Sequence, residues 1–163
     1  MALVGRSDKV AFYGVTVDST TTYHRMSGFT EMSVSKNAKE YSRQYVDEAF
    51  EQTDVTGYSP SISYAFDQYS DNAVHTDLAA VADNEKVGSA AVREIIIVDM
   101  TAAGTAAGSQ KAQKRSFAVV PDAEGGSADA YTYSGTFRAK STVVMGTATS
   151  ADGWETVTFT ANA

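Results

Sequence analysis

The side chains that most often carry chemistry are sparse in this chain and poorly spaced for it. The two histidines, His24 and His75, lie far apart, in no H-x-x-x-H or comparable pattern, and there is no cysteine. A zinc site needs such spacing of nitrogen and sulfur ligands. No metal site is therefore expected, and both histidines read as exposed or rim side chains. Serine and aspartate are plentiful, but no G-x-S-x-G turn presents a nucleophile. The run "GTAAGSQK" is glycine-rich but lacks the G-x-x-x-x-G-K-[ST] spacing of a phosphate loop. It leads into a strand-like segment, so no helix N-terminus would meet a phosphate. Asp47 and Glu48 would serve acid–base catalysis only inside a pocket, and they sit in a charged stretch that water should reach. No D-x-[DN]-x-[DN]-G calcium loop is present. The expectation is a chain that is not an enzyme and carries no cofactor.

The remaining residues read as a scaffold of strands. At 163 residues, 43% hydrophobic and 20% charged, the chain suits a single domain, 1–163, with a core of its own. Without cysteine it is indifferent to redox compartment. The start, "MALVGRSDKVAFYGV", holds no signal-type apolar run, and no stretch approaches the ~20 apolar residues of a membrane span. Synthesis and retention in a cytoplasm, or release by lysis, are expected. A net charge of −7 disfavours tight binding to nucleic acid or anionic membranes.

Thr, Val, Tyr and Ser are abundant and proline is rare, which favours β structure. "KVAFYGVTV" suggests a first strand, and "TTTYHRMSGFTEMSVS" two more around Gly28. "PSISYAFDQY" alternates most clearly. Ile62, Tyr64 and Phe66 point to a core, while Ser61, Ser63 and Asp67 share the opposite, polar face. Residues 71–83 give the one helix, with Val74, Leu78 and Val81 as its apolar stripe and Asp71 or Asn72 as its cap. "REIIIVDM" reads as a strand buried on both faces, paired with "KRSFAVVPD" across the loop "TAAGTAAGSQ". "AEGGSAD" reads as a turn. The last third suggests three strands, the final two joined at Asp152-Gly153 in a hairpin. About eight strands and one helix are expected in all.

The stretch 36–57 fits neither core nor simple turn. It mixes charges with Tyr41, Tyr45 and Phe50. Period two would put Tyr41, Arg43, Tyr45 and Asp47 on one face, and a helical period would group Tyr41, Tyr45 and Glu48, so periodicity leaves both open. Tyrosine supplies contact area with a polar tip and is enriched at interfaces. An open sheet edge is either blunted or used for pairing.

"YSRQYVDE", "FEQTDVTGYSPSISYAFD", a helix, "EIIIVD", "FAVVPD" and "GTFRAKSTVVMGTATSADGW" follow one another over nearly the whole chain. In this order they resemble the major tail tube protein of long-tailed, non-contractile bacteriophages, in particular of phages that infect Gram-positive gut bacteria. The resemblance implies a mainly β (α+β) fold, a β-sandwich or half-barrel flanked by one α-helix with a long extended loop. It implies a homo-oligomer in which six copies form a ring and rings stack into a tube. Tape-measure, tail-tip and tail-terminator proteins would be partners, and double-stranded DNA would pass transiently and non-specifically, with no membrane involved. The location implied is the virion tail, assembled in the host bacterial cytoplasm.

On this basis the arm 36–57 is assigned to contacts between subunits and rings, through Lys36, Lys39, Tyr41, Arg43, Tyr45, Asp47, Glu48 and Phe50. Ser61, Ser63 and Asp67 are the residues expected to face the lumen. Arg138 and Lys140 share a face with Thr136 and would need acidic partners there. Tubes of contractile tails and phage-like bacteriocins share the architecture and stand as an alternative. A β-sandwich that binds carbohydrate or a host surface, with Trp154 stacking on sugars, is another.

Overall fold

The computed structural model describes residues 1–163. It has eleven strands: β1 (Lys9–Val17), β2 (Thr20–Arg25), β3 (Phe29–Ser35), β4 (Lys39–Arg43), β5 (Gln52–Gly57), β6 (Ser61–Asp67), β7 (Val92–Ala103), β8 (Gln110–Gly125), β9 (Thr132–Ala139), β10 (Val144–Thr149) and β11 (Thr156–Ala161). One α-helix, α1 (Ala73–Asp83), lies between β6 and β7. The mainly β class matches the sequence reading, and the strand count exceeds it chiefly because the arm is itself a pair of strands.

Nine strands form one antiparallel sheet in the order β10-β11-β2-β1-β7-β8-β9-β6-β3. β8 is long, and the two halves of one of its edges have different neighbours. Val144–Ala148 of β10 pair with Gln110–Lys114, whereas β9 pairs with Phe117–Gly125. Because β10 returns to β8, the strands β10, β11, β2, β1, β7 and β8 close into a barrel. From β8 the sheet continues outward through β9 and β6 to β3.

Two cores follow from this geometry. Inside the barrel lie Phe12, Ile96, Val98, Ala112, Ala148 and Val157, with Trp154 packed against them. On the other face of the same strands, Tyr13 and Ile95 join Ile62, Tyr64, Phe66, Phe117 and Phe137 beneath the helix. β7 therefore needs apolar residues on both faces, which is why "EIIIV" is a continuous run and not an alternation. In β6 burial alternates residue by residue, with Ile62, Tyr64 and Phe66 buried. Tyr64 stacks on Phe137 at 4.4 Å and Phe66 on Tyr133 at 5.5 Å.

The helix starts where expected. The Asn72 side chain accepts the backbone N–H groups of Val74 and His75 at 3.0 and 3.2 Å, satisfying donors that an uncapped first turn would leave open. Val74, Leu78 and Val81 are buried against the sheet.

Two sequence expectations need correction. His75, expected at an exposed or rim position, is fully buried. The first turn of α1 directs it inward beside Val74, against Phe66 at 4.4 Å. Gly28 makes room for the ring: its φ is +76°, and a Cβ there would stand 2.8 Å from His75 Cε1. The Asp152-Gly153 hairpin exists, since β10 and β11 pair with Thr149 opposite Thr158, but its loop is longer than two residues. Asp152 accepts the Thr156 N–H at 3.0 Å and the Thr156 hydroxyl at 2.6 Å, and Ser150 Oγ accepts the Trp154 N–H at 2.9 Å. These side-chain bonds, and not an Asp-Gly tight turn, shape the loop.

Candidate assembly surfaces

The arm is a β-hairpin. β4 and β5 form their own two-stranded sheet, with Tyr41 opposite Asp54 and Arg43 opposite Gln52. Period two is therefore the correct reading of its first half. The arm brings Tyr41, Arg43 and Tyr45 together: the guanidinium carbon lies 5.2 Å from the Tyr41 ring centre and 5.7 Å from that of Tyr45. Asp54 forms an ion pair with Arg43. Ser42 and Thr53 share a hydrogen bond of 2.9 Å on the other face.

Lys36 stands apart from these, at the root of the hairpin, where its carbonyl accepts the Ser59 N–H at 3.3 Å. Lys39 begins β4. Asp47, Glu48 and Phe50 lie in the tip, where the Glu48 carboxylate accepts from Gln52 at 2.5 Å. Tyr41, Tyr45, Val46, Phe50, Val55 and Tyr58 are all exposed. An isolated two-stranded ribbon is marginal in water, and this much exposed apolar surface on one calls for a partner.

Sequence reasoning missed the clamp at the root. Asn37 has φ +47°. Its amide donates to the Ser59 carbonyl at 3.0 Å and to Ser61 Oγ at 3.2 Å, and it accepts from Ser35 Oγ at 2.8 Å. The usable signal was an asparagine just after a strand, since asparagine tolerates the left-handed region and bonds nearby backbone.

Ser61, Ser63 and Asp67 share one face of β6, opposite the core. Their cross-strand neighbours on β9 are Arg138, Thr136 and Thr132, and on β3 Ser35 and Ser33 stand opposite Ser61 and Ser63. Four strands, β3, β6, β9 and the second half of β8, thus present a face made mostly of small hydroxyl and alanine side chains, with Glu31, Asp67 and the exposed Val120 among them. Arg138 lies within it and takes part in no ion pair. Lys140 lies beyond the end of β9.

This four-stranded segment has two unpaired edges. β3 pairs only with β6. β8 pairs with β7 up to Ala118, and from Val119 onward its outer edge has no strand. Each edge borders a groove, and the grooves differ in charge. Beside β3 the groove is lined by Arg6, Lys9 and Arg25, with Glu31. Beside β8 it is lined by Glu85, Asp122 and Glu124, with Lys86. Neither the edges nor the grooves are legible without the topology.

No protein-family model matches the chain, and no curated protein matches it. Solved structures do. A chain in the virion of a native gene transfer agent (GTA) particle superposes with a TM-score of 0.61 at 12% identity, covering 88% of this chain and 98% of that one. A chain in the tail of the empty GTA particle, determined with C6 symmetry, gives 0.61 at 12%, covering 86% and 97%. A chain in the sheath/tube terminator of the PVC extracellular contractile injection system gives 0.50 at 16%, covering 89% and 97%. At such identities the likeness is one of fold, over nearly the whole of each chain.

Proposed function

We propose that this chain is a structural subunit of a phage-like tail, forming rings that stack into a tube. One observation carries the reading: a polar four-stranded face bounded by two free edges, one in a basic groove and one in an acidic groove. A head-to-tail contact joins unlike surfaces and repeats until it closes or runs on. Pairing β3 of one copy with the outer edge of β8 in the next would satisfy both edges. It would also bring Arg6 and Arg25 toward Asp122 and Glu124. The C6 symmetry of the GTA tail supports six copies per ring.

In such a ring the face carrying Ser61, Ser63 and Asp67 lines the lumen. Small hydroxyl side chains dominate that face, and its one cation, Arg138, shares it with the carboxylates Glu31 and Asp67, so DNA meets few cations per copy. Each phosphate paired to Lys or Arg adds affinity, and screening over ~8 Å at physiological salt keeps the rest of the field local. The tube is then a conduit through which DNA slides, in the tail of the virion. The same architecture serves contractile particles, and the PVC neighbour keeps that reading open. A sheath gene beside this one would favour it. The sugar-binding alternative loses support because Trp154 packs against the barrel core.

Negative-stain microscopy of the purified protein tests the proposal, with concentration and salt varied. Rings or tubes are expected. The charge-reversed variants Arg25→Glu and Glu124→Arg should each block ring closure, and mixing the two should restore it in part. Native particles in which this chain builds no hollow cylinder would overturn the reading.

A further inference from the structure

A groove opens at the root of the arm. Ile62, Ile95, Ile97 and Phe117 form its floor, and Val34 and Val143 its rims. Those two rim residues are 47% and 39% exposed, so the groove presents apolar surface to the outside. Its enclosed space is only ≈ 60 Å³, against ~300–1,000 Å³ for small-molecule pockets. It can take one protruding side chain.

The wall supplies a second, independent feature. Arg115 lines the groove, and its Nε is buried with no hydrogen-bond partner. A buried donor left open costs about 1–3 kcal/mol, and such groups are rare in folded proteins. Arg115 also takes part in no ion pair, so a carboxylate brought from outside would pair with the accessible part of its guanidinium by a charge-assisted bond. Lys36, also on the wall, adds a second cation.

The arm tip has the matching chemistry. Val46 is the most exposed apolar side chain of the arm. Asp47 follows it, and Glu51 is close by, with no cation anywhere between Gln44 and Glu51. The tip of the same copy cannot reach. Lys36 at the start of the arm and Pro60, just past its end, line the groove themselves, and the five strand residues of β4, at ~3.3 Å each, hold the tip about 16 Å from the root.

We propose that this groove receives the arm tip of a second copy of the chain, with Val46 entering between Val34 and Val143 and Asp47 meeting Arg115. The inference rests on the tube reading and gives the arm its receptor site. Because the chain has no cysteine, Val46→Cys and Val143→Cys can be made singly, mixed at assembling concentration and oxidised. A disulfide-linked dimer is expected, read on a non-reducing gel. Val46→Cys mixed with Val17→Cys, exposed elsewhere on the chain, should give none. Adding Arg115→Glu to the Val143→Cys chain should cut the yield at least about tenfold, as loss of a desolvated charge pair does. Adding Asp47→Arg to the other chain should restore it. Rings or tubes without the linkage overturn the docking and leave the ring standing. Linkage without rings supports the docking and counts against the ring. No linkage overturns the docking in every case, as does equal linkage to Val17→Cys.

Discussion

Nε2 of His75 lies 2.8 Å from the carbonyl oxygen of Ser27, and this contact ties the helix to the turn that launches edge strand β3. The other ring nitrogen, Nδ1, accepts the Tyr69 N–H at 3.1 Å. An acceptor at Nδ1 requires the proton on Nε2, which then donates to Ser27. The buried ring is neutral, and protonating it would set an N–H at Nδ1 against the Tyr69 N–H.

Burial lowers the His75 pKa, opposed by the Ser27 bond and by Asp67 and Asp71. The folded state therefore binds the proton less readily than the unfolded chain. This contribution to stability is complete above the unfolded value near 6.5 and is lost as pH falls through the lowered folded value. Urea midpoints should drop between pH 7.5 and pH 5, with a slope of at most about 1.4 kcal/mol per pH unit for one proton. His75→Phe should remove that step while costing about 1–3 kcal/mol at neutral pH, since Ser27 and Tyr69 lose their partner. Asp99 and Asp152 do not contribute in this window. Hydrogen bonds, from Lys9 to Asp99 and from Thr156 to Asp152, hold each at about 2. A wild-type profile flat from pH 7.5 to 5 would refute the assignment.

Asp77 is the second fastening of the helix. It accepts the Tyr13 hydroxyl at 2.5 Å and Arg93 Nε at 2.7 Å. Burial, then the Asp77 charge, push the Tyr13 pKa upward. Removing the carboxylate strands a buried hydroxyl and a mostly buried guanidinium. Asp77→Ala should cost about 3 kcal/mol, and Tyr13→Phe only about 1. Denaturant melts of the two variants and of their double mutant check this. Costs that simply add in the double mutant would mean that Tyr13 and Asp77 are not coupled.

Much of this fold could be read from residue patterns. The alternation of Ser61–Asp67 and the stripe Val74, Leu78, Val81 each report one buried face, and one face is what periodicity encodes. The two-faced run at Ile95–Val98 marked its strand but could not show that the faces serve different cores. His75 was misplaced because a histidine beside a buried valine carries no sign of how the first helical turn is rotated. The hairpin places Tyr41, Arg43 and Tyr45 together, but its pairing depends on Asp54 and Asn37, which look like any loop residues. The free edges of β3 and β8 arise from strand order, and strand order is set by contacts between residues far apart in sequence.

The polar face makes its own demand on charge. If it lines a tube, added cations should grip DNA. Ser63→Arg and Thr136→Arg, placed opposite each other on β6 and β9, should make assembled tubes retain duplex DNA. Each further phosphate neutralised should steepen the dependence of log K on log salt by ~0.9. Arg138→Gln should shift retention the other way. Filter retention across a salt series measures both. Equal retention by all variants and the wild type would remove this face from the lumen.

The bulge in that face sits opposite a single glycine. Opposite Gly135 the register of β8 shifts between Pro121 and Ala123, a bulge of the kind that bends a strand. A Cβ at Gly135 would stand 2.6 Å from the Val120 carbonyl oxygen and 2.7 Å from the Tyr64 hydroxyl. The tyrosine tip can move, but the carbonyl belongs to the paired neighbour strand. Gly135→Ala should therefore cost about 1–3 kcal/mol by overpacking. Tyr64→Phe in the same chain should recover only part of the loss, because the backbone contact stays. The surviving protein should also assemble poorly, since a strand pushed from β9 flattens the sheet between the two free edges. A Gly135→Ala chain that melts like the wild type and forms the same rings would show that the bulge tolerates a side chain and does not set the bend.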